Sequence, residues 1–197
     1  TIKDHKRIIF NGNGYDEAWI REATQVRGLS NYPTTPDCIP HILDEKNVKM
    51  LTQHKVFSLA ELKSRCEIQL ETYIKTINIE ALTAIDMIRH QILPAALRYS
   101  EQLTRGILNK KELSMTCRAE RNLVRRLGDA CDKLYDYCEL LCGDLKKVPA
   151  DTKKAAEYYG SVIVSDMAKA REQADILESL TDKSLWPYPT YSDLLFY

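Results

Sequence analysis

The 197-residue sequence is short of helix breakers, with seven glycines and seven prolines, too few for an all-β or low-complexity chain. It has no apolar run approaching the roughly 18–20 residues of a membrane span and no signal-peptide core at its start. Neither charge is in excess. Lys plus Arg and Asp plus Glu both number 28, which argues against a surface driven by bulk charge toward nucleic acid or membrane. The totals read as a soluble, cytoplasmic domain, or a domain with an appendage, able to bury a sizeable core. The chain opens at Thr1 inside a charged run, TIKDHKR, and is expected to be a fragment of a longer protein.

Recognisable catalytic and metal motifs are missing too. There is no G-x-G-x-x-G, Walker lysine, H-E-x-x-H or nucleophile elbow, and His5, His41, His54 and His90 are scattered through different segments. The six cysteines form no C-x-x-C and no zinc-finger pairing. Cys117, Cys131, Cys138 and Cys142 follow at steps of fourteen, seven and four, so they share one helix face. They read as small core residues of a reduced compartment, with a thiolate metal site or redox pair as the rival reading.

What the chain does have is helical periodicity. From Ser58 to Leu103, apolar residues recur at steps of three and four, including Leu62, Cys66, Leu70, Ala81, Ile88, Ile92 and Ala96, a spacing only a helix gathers onto one face. Ser58 and Glu61 form the S-x-x-E of a capping box. A second apolar set, Ile74, Leu82, Ile85, Leu93 and Leu97 with Ile79 and Met87 beside it, predicts a central helix covered from more than one side. Unbroken, it spans roughly 65–70 Å at about 1.5 Å per residue. Pro94 removes an amide donor and crowds the carbonyl of residue 90, which predicts a kink near His90–Pro94.

Before this helix, the apolar run RIIF (7–10) reads as a strand end or buried lead-in, followed by an Asn11-Gly12-Asn13-Gly14 turn. A phosphate-cradling loop is the sharper alternative there. Asp16 caps a short helix with Trp19, Ile20, Ala23 and Val26 inward and Gly28 as its stop. Thr35-Pro36 and Asp44 start two more, the latter carrying Val48, Leu51 and Val56. Beyond it, a turn is expected over Arg105–Lys111 around Gly106 and Asn109. A helix from about Glu112 to Lys147 then carries a heptad seam from Leu113 to Val148, which only Glu120 breaks. Pro149 ends it, and Asp151 or Thr152 opens a third long helix to about Leu180.

The expectation is an all-α fold: an antiparallel bundle of three long helices (58–180), a cluster of short N-terminal helices (1–57) and an extended aromatic and proline-rich tail (181–197). So apolar a tail either packs back on the bundle or makes a protein interface.

Chemistry is best sought among the polar residues of the central helix: Lys75, Asn78, Glu80, Asp86, Arg89 and His90. Asp86 can pair with Arg89 or His90, and exposed-face ion pairing accounts for most of the set. The string Arg118, Arg121, Arg125, Arg126 reads as a solvated face, with an interface or anionic-ligand contact as the minority reading.

Three segments, HKRIIFNGNGYDEAW, ETYIKTINIEALTAIDMIRHQILPA and LWPYPTYSDLLF, in this order and at this separation, resemble the C-terminal region of the type III glutamine synthetases. The likeness runs from about Lys6 to Phe196. It implies a cytoplasmic, ring-shaped homo-oligomeric parent ligase that uses ATP and Mg²⁺ or Mn²⁺ to activate glutamate as γ-glutamyl phosphate for attack by ammonia. It places the catalytic core upstream. No position here maps onto the metal-binding carboxylates, the ATP and glutamate loops or the phosphate-contacting arginines of that core. No catalytic, cofactor-binding or metal residue is therefore assigned, and no cofactor is expected in the fragment itself. The implied partners are the upstream core and other copies of the parent, with neither nucleic acid nor membrane. The domain's implied role is structural or in assembly. A free-standing helical interaction module is the alternative, and an independent enzyme would need a cleft around Lys75, Asn78, Glu80 and Asp86.

Overall fold

The computed structural model describes residues 2–195. Among these every regular element is helical and no strand forms. The chain divides between Cys66 and Glu67 into two compact units.

In the first unit Asp16 accepts from the Ala18 amide at 2.9 Å and starts α1 (Glu17–Arg21), continued by a wide π-type turn over Glu22–Val26. Gly28, at φ +61°, ends it. Ala23 is buried and Trp19 half-buried, but Ile20 and Val26 are exposed. The wide turn encloses an extra residue and carries Val26 off the inward face. α2 (Thr35–Cys38) is capped by Thr34, whose hydroxyl accepts from the Asp37 amide, with Pro36 in its first turn. α3 (Glu45–Gln53) follows Asp44, with Val48 and Leu51 half-buried and Val56 exposed.

The RIIF run makes neither a strand end nor a buried lead-in. Lys6–Ile8 form a 3₁₀ turn, with Ile8 and Ile9 exposed, because no neighbouring strand among the described residues offers an edge to pair with. Phe10 instead stacks on Trp19 at 3.9 Å, and the Arg27 guanidinium covers the Trp19 ring at 4.8 Å. Arg27 also donates to the Ile9 carbonyl at 2.7 Å. A Cβ at Gly12 would lie 2.6 Å from the tip of the Phe10 ring, so a side chain there would have to push that ring aside. The turn itself is set by the Asn13 side chain, which accepts from the Tyr15 amide at 3.1 Å.

α4 (Leu59–Met87) begins with the expected capping box. Ser58 Oγ accepts from the Glu61 amide at 3.3 Å, and Glu61 Oε2 accepts from the Ser58 amide at 2.7 Å. These contacts hold the Glu61 carboxyl below its ordinary value, the Ser58 amide first. Ser58→Ala is expected to lower the urea midpoint by the modest amount one N-cap supplies, and Ser58→Asp to restore most of it.

Pro94 does not end the helix. A wide turn over Ile88–Ile92, in which the Leu93 amide bonds back to the Ile88 carbonyl, loosens the coil just before the proline, and α5 (Leu93–Glu112) continues. The turn expected at Arg105–Lys111 is absent, and Gly106 and Asn109 lie within α5. An Arg105–Glu101 pair one helical turn apart and Lys110 and Lys111 in the last turn favour continuation. The reversal comes later, at residues 113–117, where Ser114 and Cys117 take positive φ. α6 (Arg118–Leu145) therefore starts six residues after Glu112, leaving Leu113 exposed. Glu120, the break in the heptad, pairs with Lys110 across this reversal.

Asp151 accepts from the Lys154 amide at 2.9 Å to start α7 (Thr152–Tyr158), which a wide turn over Tyr159–Ile163 joins to α8 (Val164–Leu180). In this unit α6 packs on both α5 and α8. Its seam residues Leu127, Cys131, Leu134, Cys138 and Leu141 are buried against Ala81, Ile85, Ile88, Ile92 and Ala96 on one side and Ile163, Ala170 and Leu177 on the other. Cys131 and Cys138 serve as apolar groups, and burial pushes the Cys131 thiol up to about 11.

In the tail, Trp186 and Tyr188 meet edge to face at 6.4 Å and pack against this core. Asp182 and Ser184 form a local turn. α9 (Tyr191–Leu195) follows, with Leu194 and Leu195 exposed. Lys183 pairs with Asp193 and, with the Thr190 amide and hydroxyl, holds that carboxyl down to about 2. Phe196 lies outside the described residues.

Candidate functional site

The polar residues of the central helix do not converge. Lys75 pairs with Glu71 at 3.0 Å on an exposed face, Glu80 is exposed, and Asp86 meets His90 Nδ1 at 2.7 Å in solvent. Asn78 turns inward, where its Oδ1 accepts from the Tyr159 hydroxyl at 3.0 Å. Tyr159 is 5 % exposed. The bond therefore ties α4 to the wide turn between α7 and α8. Burial pushes the Tyr159 hydroxyl up, so it remains a donor.

Arg89 reaches across to α6. Its Nη2 donates to Glu139 Oε1 at 2.6 Å and lies 3.2 Å from Cys142 Sγ. Cys138 is on the same side of α6, and single donor atoms of Cys138, Glu139 and Cys142 fall within 4.8 Å of one another. Among the described residues this sulfur-bearing cluster brings together Arg89 of the central helix and Cys138 and Cys142 of α6.

Two buried acids escaped the sequence reading. Asp144 meets Lys147 Nζ at 2.7 Å, and Asp166 meets Lys169 Nζ at 2.9 Å. Lys147 holds the Asp144 carboxyl below the ordinary range. Tyr158 donates to the Asp144 carbonyl at 3.1 Å. Asp166 is 3 % exposed, and its Oδ2 is buried without a partner. The signal was present as Asp144-x-x-Lys147 and Asp166-x-x-Lys169, each aspartate three residues after an apolar core position.

Arg118, Arg121 and Arg125 line an open concavity of about 690 Å³ with Thr116, Ala119 and Asn122. Arg126 lies outside it.

The cysteine-bearing group does not suit magnesium or manganese, and the Asn-Gly-Asn-Gly turn does not suit phosphate. The three-donor group among the described residues carries two thiols, whereas Mg²⁺ and Mn²⁺ take oxygen sets. At the Asn-Gly-Asn-Gly turn the Phe10 ring fills the space beside Gly12, leaving no cradle for phosphate.

Residues 1–111 match the family described as the glutamine synthetase C-terminal domain. The chain belongs to that family. It is 36 % identical over its whole length to a glutamine synthetase of Butyrivibrio fibrisolvens and 29 % identical over its whole length to the type-3 glutamine synthetase of Dictyostelium discoideum. Against a glutamine synthetase of Bacteroides fragilis it is 27 % identical over 96 % of its length. It spans 28 % of the first two relatives and 27 % of the third. No helix among the described residues is long and apolar enough to cross a membrane.

Proposed function

We propose that the chain is the assembly-supporting helical part of a type III glutamine synthetase, a cytoplasmic enzyme that joins ammonia to glutamate with ATP and Mg²⁺ or Mn²⁺ in a catalytic core outside these residues. The observation that carries this reading is an unpartnered apolar face on the α4–α5 helix. Ile79, Leu82 and Leu97 are 64 %, 53 % and 55 % exposed. Ile85 of the second apolar set is buried and Ile74, Met87 and Leu93 pack on the core, but Ile79, Leu82 and Leu97 lack the cover their periodicity calls for, and Leu194 and Leu195 add two more exposed groups in the tail. The cover is supplied by the core of the same chain or by another subunit of a homo-oligomer.

The test uses the full-length parent. Ile79→Asp with Leu82→Asp, and separately truncation after Thr181, are expected to shift sedimentation toward smaller species and to reduce glutamine formation. An unchanged oligomer with full activity in both variants overturns the reading.

A further inference from the structure

We propose that Cys138, Glu139 and Cys142 form a binding site for a thiophilic d¹⁰ cation of the zinc and cadmium class, with Arg89 occupying its mouth in the metal-free protein. The donors sit at i, i+1 and i+4 on α6, with their ligand atoms within 4.8 Å of one another. Sulfur–metal bonds of about 2.3 Å and oxygen–metal bonds of about 2.0–2.2 Å call for donors somewhat closer than this limit, within reach of side-chain rotation alone. A disulfide suits the pair less well, because residues four apart on a helix hold their Cβ atoms about 5–6 Å apart and a disulfide needs about 3.5–4.5 Å.

The site is graded in access. Cys138 is fully buried, Cys142 half-buried and Glu139 exposed, so a cation enters past the carboxylate toward the sulfurs. The arrangement already holds a cation: Arg89 Nη2 bridges Glu139 Oε1 and Cys142 Sγ. A divalent ion must displace that guanidinium and two protons, M²⁺ plus two thiols giving a dithiolate complex and two H⁺. Occupancy also releases Arg89 from α6, exchanging an interhelical contact for a metal centre.

Cd²⁺ titration of the purified chain, followed by the ultraviolet sulfur-to-cadmium charge-transfer band, tests this, with Zn²⁺ as competitor. One equivalent should give the band and Zn²⁺ should remove it. Cys142→Ser should abolish the tight phase while Cys38→Ser, at an exposed cysteine, leaves it intact. Cys142 is not in the fully buried core, so its serine variant is expected to fold, as helical circular dichroism will show. Arg89→Gln should tighten binding about tenfold by removing the competing cation. A charge-transfer band unchanged by Cys142→Ser, or binding without that band, overturns the proposal, as does weaker binding by Arg89→Gln.

Discussion

Leu134→Ala is expected to lower the unfolding free energy by about 3 kcal/mol, within the range for a buried leucine truncation that leaves a cavity. Leu134 is fully buried at the middle of the α6 seam, between Leu127 and Leu141, which are equally inaccessible. α6 touches both α5 and α8, so a void there has walls on two helices and collapses poorly. Urea unfolding followed by circular dichroism measures the loss. The control is Tyr135→Ala one position on, at a side chain 56 % exposed, expected to change the midpoint little. Equal effects at the two positions would show that α6 does not present this face to the core.

The second large effect is asymmetric. Lys169→Met is expected to destabilise the protein far more than Asp166→Asn, though both break the same 2.9 Å pair. Losing the lysine strands a carboxylate that is 3 % exposed and already has one oxygen without a partner, and a buried charge without its counterion is among the costlier single defects. Losing the carboxylate leaves a half-exposed ammonium that water can solvate. Acid should expose the same region. The Asp144 carboxyl is held low by Lys147, so its contribution is present above the ordinary carboxylate range and fades as pH falls through the lowered value. Thermal unfolding of both variants at neutral pH decides the ordering. Equal losses would mean the pair acts only as a surface contact.

Local signals proved most legible where they close within one turn. Ser58 and Glu61 needed nothing from the rest of the chain to form their capping box, and the seam from Leu127 to Leu141 was set by its own spacing. The RIIF run failed because a strand depends on a partner that sequence spacing does not reveal. Gly106 misled for a related reason. Its conformational cost of about 1 kcal/mol in a helix is smaller than what packing and end charges return there. The reversal fell instead at Ser114 and Cys117, two non-glycine residues in the left-handed region, which composition does not flag. The Arg89, Glu139 and Cys142 cluster joins positions fifty or more residues apart, so only the folded chain could show it.

The wide turn at Ile88–Ile92 works as a phase shifter. Bonding Leu93 to Ile88 rather than to Arg89 takes up one extra residue within the spiral, so each residue of α5 sits about 100° and about 1.5 Å back from where an unbroken α-helix of the same sequence would carry it. Ala95 and Ala96 are fully buried in that rotated setting. Deleting one residue from 88–92 would therefore regularise the coil and leave α5 on its present face, whereas deleting one from the regular coil of α4 would swing all of α5 by more than a quarter turn, aiming its polar flank at α6. The same deletion beyond Glu112 would merely shorten a loop. Tolerance to changes in chain length is thus set less by how far a residue lies from the core than by whether it sits in such a wide turn or a loop, or in the regular coil between them.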